Sequence, residues 1–258
     1  LVALSAQPKA DELVMVGSAN SAGGTVQIDG GAKQDTKNWP ATLKYLVAGK
    51  FTCTSTIVGE HSVITAAHCL PDGTTARVEI GDKKFNLTCT LHPHFNRDTL
   101  EFDVALCFSK DPFPNTIGYE NLDVKVTRVS VGSILFLLGY GCRDVNSQVD
   151  FGQLYGGSAT VFQLAPSPGT HIRTHDGVVI CPGDSGGSAY VLASQDQPVS
   201  PRSIIGINSG YAALTRVSAI TPLTGDIAEF IRDWADDRKT TICGIHSNVL
   251  YCHDRFVP

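Results

Sequence analysis

Cys181-Pro182-Gly183-Asp184-Ser185-Gly186-Gly187-Ser188 is the stretch on which the reading of this 258-residue chain turns. A serine set among glycines and preceded by an acid suits a tight turn that exposes the hydroxyl and aims backbone amides at a developing oxyanion. Taken alone, Gly-Asp-Ser-Gly-Gly is also an ordinary glycine-rich turn. Two stretches upstream change its weight. Thr65-Ala66-Ala67-His68-Cys69 offers a base beside a cysteine, and Phe102-Asp103-Val104-Ala105-Leu106 offers an acid at the head of an apolar run. Singly, His68 reads as a core histidine and Asp103 as a strand-edge charge. Together, in the order His, Asp, Ser, they are the three groups that nucleophilic acyl transfer requires.

Composition bounds the fold. Hydrophobic residues make up 42% of the chain and charged residues 17%, the latter well under the usual share of about 25%. The 25 glycines and 13 prolines punctuate short apolar runs in the manner of an all-β chain. A net charge of -5 with no long basic run argues against nucleic acid as a partner, and no apolar run approaches the roughly 18 residues of a membrane span. The eight cysteines suit an oxidising compartment, and none form a CxxC pair that would suggest zinc.

The three motifs resemble those of the trypsin/chymotrypsin-like serine peptidases, whose chain order they share. The resemblance implies two packed six-stranded antiparallel β-barrels with a C-terminal helix. It implies His68, Asp103 and Ser185 as catalytic residues and the N–H groups of Gly183 and Ser185 as the oxyanion hole. Neither cofactor nor metal is needed, and the substrates are proteins or peptides acted on by a secreted, extracellular or periplasmic monomer. Gly139-Tyr140-Gly141-Cys142 is similar to the family's turn beside the oxyanion loop, and Ile204 to Ser209 to the strand that binds the substrate backbone. His92-Pro93-His94 is similar to the family's loop ahead of the catalytic Asp, so its histidines are read as loop structure rather than as metal ligands.

Four regions follow: 1–27, an activation segment; 28–131, an N-terminal barrel; 132–220, a C-terminal barrel; 221–258, a helix and a disulfide-closed tail. Residues 17–24 have a linker composition, and Leu1 to Ala6 are read as a remnant of a signal peptide. Ile28-Asp29-Gly30-Gly31 resembles the family's mature start, where a cut frees an ammonium that pairs with the acid before the nucleophile, here Asp184. An activating peptidase is thus an expected partner. Gln27 and Asp29 depart from the family pattern at that cut, and a structural arm that is never cut is the other reading. In the first lobe, strands are expected at Thr42 to Val47, Cys53 to Val58, Ser62 to Thr65, Ala76 to Ile80, Asn86 to Leu91, Val104 to Phe108 and Val124 to Val131. Ile227, Phe230, Ile231 and Trp234 recur at helical spacing over 225–238, with Thr224 as candidate cap.

By the same resemblance the floor of the primary pocket falls at Val179, so no acid stands ready for Lys or Arg, and a non-basic residue is expected before the scissile bond. Ile180, Ser209, Gly210 and Tyr211 complete the candidate substrate-binding set. Only residues 210–215 separate Ser209 from Arg216, shorter than the family loop that carries the usual partner of the cysteine before the nucleophile. The family pairs the cysteine beside the catalytic His with one on the preceding strand, which carries over to Cys53 and Cys69. That bridge contributes on the order of 3 kcal/mol. Cys89 with Cys107, Cys142 with Cys181 and Cys243 with Cys252 are the proposed remainder, free buried thiols the alternative. A catalytically silent binding module and an esterase on the same scaffold are the rival functions.

Overall fold

A computed structural model describes residues 28–70, 75–125, 128–142, 151–194 and 201–254. The expected activation segment, including Gln27, lies outside the described residues. The architecture is two closed six-stranded antiparallel β-barrels and one helix, as expected.

The first barrel is built from β2 (Thr42–Val47), β3 (Lys50–Gly59), β4 (Ser62–Thr65), β5 (Ala76–Ile80), β6 (Lys83–Leu91) and β7 (Ala105–Ser109), in the closed order β2-β3-β4-β7-β6-β5. The second uses β8 (Ile134–Gly139), β9 (Tyr155–Gln163), β10 (Ile172–His175), β11 (Ser188–Leu192), β12 (Arg202–Ala212) and β13 (Val217–Pro222). Its order is β9-β10-β13-β12-β11-β8, closed by β8 on β9, with the two-residue β1 (Ala32–Lys33) added to β9.

Side chains alternate faces along a strand, and the second barrel buries both. On β8, Leu135 and Leu137 fill its interior while Phe136 and Leu138 join the larger core shared with the first lobe; on β11, Ala189 and Val191 take the one side and Tyr190 and Leu192 the other. That double burial is why these strands read as unbroken apolar runs. Trp39 occupies the seam, stacked on Phe136 at 5.5 Å and tilted against Tyr190 at 5.0 Å. The buried Arg202 guanidinium lies 3.9 Å over the Trp39 ring and pairs with buried Glu120 on the segment between the lobes.

Two expectations need correction. Val124 to Val131 forms no strand among its described residues. Asp123 takes the Lys125 N–H at 3.1 Å and pairs with Arg128, local side-chain bonds that compete with strand pairing. The helix, α1, spans Asp226–Asp237, and Gly225 rather than Thr224 is its N-cap, at φ 59° with no side-chain capping bond. Asp226 and Glu229 in its first turn complement the helix dipole instead. Ile227, Ile231 and Trp234 are buried, and the Trp234 indole donates to Thr90 on β6. The helix therefore packs on the first lobe.

Candidate active site

His68 enters from the end of β4, where a 3-10 turn over Ala67–Cys69 follows directly. The Cys53–Cys69 disulfide ties that turn back to β3. Asp103 sits on a turn in which Leu100 and Phe102 adopt φ 57° and 54°, and this turn is braced from the other lobe by Phe102 N donating to Gly169 O at 2.8 Å. His92 stacks on Phe102 at 4.7 Å, so the His-Pro-His stretch supports this turn. Asp103 is fully buried. Its Oδ1 accepts the His68 backbone N–H at 2.9 Å, and its Oδ2 accepts both His68 Nδ1 at 2.6 Å and Ser209 Oγ at 2.5 Å. Burial works to raise the Asp103 carboxyl, but the His68 charge and the hydrogen bonds from His68 and Ser209 outweigh it and hold the group below its ordinary value. Nδ1 faces Asp103, and Nε2 is the ring nitrogen with no partner among the described residues, a candidate base.

Ser185 arrives on the loop between β10 and β11. Gly183 takes φ 93° and Gly186 φ 80°, and a Cβ at 186 would stand 2.1 Å from Thr65 Oγ1 and 2.3 Å from Thr54 O. Only glycine permits both that backbone and that approach. The first lobe cradles the loop through β3: Thr54 N donates to Ser185 O at 2.8 Å, Thr54 Oγ1 donates to Gly183 O at 2.8 Å, and Thr56 Oγ1 lies 2.8 Å from Ser188 Oγ. These threonines carry no motif, and nothing in the sequence pointed to them. Ser185 Oγ donates to Ser209 O at 3.4 Å, while His68 Nε2 is buried with no partner. Ser209 thus links Ser185 and Asp103, its carbonyl to the one and its hydroxyl to the other. Among the described residues, the N–H groups of Gly183 and Ser185 donate to no protein acceptor.

Behind the nucleophile, the fully buried Asp184 accepts Gly141 N at 2.7 Å and Cys181 N at 2.8 Å, and no cationic group among the described residues pairs with it. Burial pushes its carboxyl up to about 7 against the pull of those two amides. Ile28, 1% exposed, belongs to the same core as Cys142 and Cys181, and Asp29 exchanges two backbone bonds with Val179 (2.8 and 3.1 Å). Asp29 also pairs with Arg216. Val179, Ile180 and Tyr211 are buried in this core too, with Ile180 N donating to Ser218 Oγ at 3.0 Å. Gly210 and Tyr211 pair with Ala219 and Ser218, so β12 runs into β13 through a tight hairpin where a longer wall was lacking in the sequence.

The structure joins Cys53 to Cys69, Cys89 to Cys107, Cys142 to Cys181 and Cys243 to Cys252. Cys53, His68 and Cys69 converge closely enough to hold a metal ion, but the two sulfurs are bonded to each other and offer no thiolates. No helix among the described residues is long and apolar enough to cross a membrane.

A buried Asp-His pair on one barrel, facing a glycine-bound serine loop on the other, defines the chymotrypsin-type class of double-barrel serine peptidases. Residues 28–225 match the Trypsin family, and the chain belongs to it. It is 26% identical over 203 residues to chymotrypsin-like elastase family member 1 of Rattus norvegicus, covering 65% of this chain and 74% of that protein. Brachyurin of Leptuca pugilator is 24% identical over 212 residues, 74% of this chain and 94% of that protein. Trypsin iota of Drosophila melanogaster is 25% identical over 142 residues, 51% of this chain, and the chain spans just 56% of its length.

Proposed function

We propose that the chain is a serine endopeptidase that cleaves peptide bonds through an acyl-enzyme. The observation that carries this reading is the pair of unengaged N–H groups at Gly183 and Ser185, beside a serine hydroxyl and a buried, oriented Asp-His pair. Rotation of the Ser185 side chain from Ser209 O toward His68 Nε2 delivers its proton to the base as Oγ attacks the carbonyl carbon. The carbonyl electron pair becomes an oxyanion received by the two amides. His68 then returns the proton to the leaving amine, and water repeats the sequence to release the acid.

Activation by a cut before Ile28 is part of the same reading, and requires an activating peptidase. A buried carboxyl without a cation among the described residues, bonded to Cys181 of the core that holds Ile28, is a site for the ammonium that such a cut frees. The apolar Val179 and the buried Tyr211 favour a small or apolar residue before the scissile bond. Four disulfides support work outside the reducing cytosol, as a secreted protein. The Ser185 Oγ bond to Ser209 O, with His68 Nε2 unpartnered, favours the second reading: a silent binding module on a peptidase fold. A fluorophosphonate probe decides between them. Covalent labelling of the cut chain that vanishes in Ser185→Ala is expected, whereas an unlabelled cut chain of intact fold supports the silent module.

A further inference from the structure

The Cys142–Cys181 bridge crosses the base of the nucleophile loop, between residues 39 apart in sequence. Its surroundings give it a role beyond cross-linking. Cys142 N donates to Pro182 O at 2.7 Å. That carbonyl shares a peptide group with the Gly183 N–H, and in a planar trans peptide C=O and N–H point in opposite directions. Fixing the Pro182 carbonyl against Cys142 therefore fixes the Gly183 N–H away from it, where an oxyanion can accept it. The two amides that hold Asp184 belong to the same staple: Cys181 itself, and Gly141, the neighbour of Cys142. Asp184 lies between the two oxyanion donors, so the peptides on both sides of it turn with its carboxylate. Asp184 N closes the ring by donating to Cys181 O at 2.9 Å.

We propose that the Cys142–Cys181 disulfide is a positioning element of the oxyanion hole, and that it holds the Gly183 amide in its receiving orientation before any cut frees Ile28. The proposal rests on the peptidase reading above and deepens it. All of these bonds form with Ile28 still joined to the residue before it. An ammonium arriving at Asp184 thus reinforces a loop already in place, and the uncut chain is a partly competent precursor.

The test crosses two perturbations in the full chain. One is the Cys142→Ala/Cys181→Ala double variant, which leaves no free thiol; the other is cleavage ahead of Ile28, by a site-specific peptidase whose recognition sequence replaces residues 23–27. For each form, kcat and KM on one peptide substrate are measured well below the unfolding temperature, together with the exchange rate of the backbone amide at position 142, called the Cys142 amide below although the double variant carries alanine there. Loss of the staple is expected to lower kcat of the uncut chain by about a hundredfold, the magnitude of one lost oxyanion donor. KM changes little, the cut chain loses less, and Cys142 amide exchange accelerates. A cross-link with a merely structural role lowers the unfolding temperature and leaves kcat and that amide unchanged, and this result overturns the proposal. Where the double variant fails to fold, reduction of the folded wild-type chain with a water-soluble phosphine, the opened pair mapped by mass spectrometry, gives the same readouts. If no form turns over and the Cys142 amide still loses protection only when the bridge is gone, the peptidase reading falls while the positioning stands.

Discussion

Asp184→Asn in the uncut chain isolates the cost of a buried acid that has no cation. The carboxyl titrates from an ordinary 3.8 when unfolded to about 7 when folded. Between those values the folded state binds more protons than the unfolded one, so stability is fully present below the lower value and is lost as pH rises through the upper. Integrated for one group between pH 5 and pH 8, the loss is about 2.5 kcal/mol. Asparagine resembles the protonated acid and does not titrate. It leaves one of the Gly141 and Cys181 amides without an acceptor, a penalty of about 1–3 kcal/mol that is independent of pH. Absolute stability is therefore a poor readout and its pH slope a good one. Urea unfolding at pH 5 and pH 8, in a Ser185→Ala background that prevents self-digestion, should show the parent losing about 2.5 kcal/mol more than the Asn variant over that interval. Parallel pH profiles, differing by less than about 0.5 kcal/mol, would refute the claim that this carboxyl, which pairs with no cation among the described residues, is folded in without one.

Three further outcomes follow from named contacts. Ser209→Ala removes the hydroxyl that shares Asp103 Oδ2 with His68; kcat in steady-state assays should fall roughly tenfold, about one hydrogen bond to a charge, with KM little altered. Gly186→Ala forces a Cβ against Thr65 Oγ1 and Thr54 O at φ 80°. Thermal unfolding should show a loss of about 3 kcal/mol or more, or no folded product. Val179→Asp places an acid at the expected pocket floor, and cleavage profiling with a peptide library should show a rise of basic residues before the scissile bond, at a cost in stability from burying the charge.

What was readable in the sequence is what chemistry ties to local identity. Gly183, Asp184, Ser185 and Gly186 are contiguous because one turn carries the hydroxyl and the amides beside it, although Ser185 is buried where the sequence suggested an exposed hydroxyl, and His68 and Asp103 each sit at a strand end that their flanking apolar residues announce. Leu135 to Leu138 carries its strand signal for a different reason: with both faces buried, every residue is apolar. Val124 to Val131, whose valines alternate with polar residues, suggested a strand too, yet its described residues form none, and Asp123 there accepts Lys125 N and pairs with Arg128. Thr54 and Thr56 were invisible for the opposite reason. Alternating threonines on β3 look like any half-polar strand, and their value lies in bonds to residues about 130 positions away.

Those threonines explain why the chemistry lies at the seam and not within either barrel. Asp103 and His68 are oriented by the first lobe, yet Ser209 of the second satisfies Asp103, and Thr54 of the first satisfies the carbonyls of Gly183 and Ser185. Each lobe thus completes hydrogen bonds of the other's candidate catalytic groups. A buried carbonyl or carboxylate deprived of its partner costs more than a hydrogen bond contributes when made, so separation of the lobes is opposed by these polar groups as well as by the apolar contacts of Trp39, Phe136 and Tyr190. Docking of the barrels and assembly of the site are therefore one event: a substitution that loosens the seam at Trp39 or Arg202 should disturb Ser185 geometry even though neither residue touches the triad.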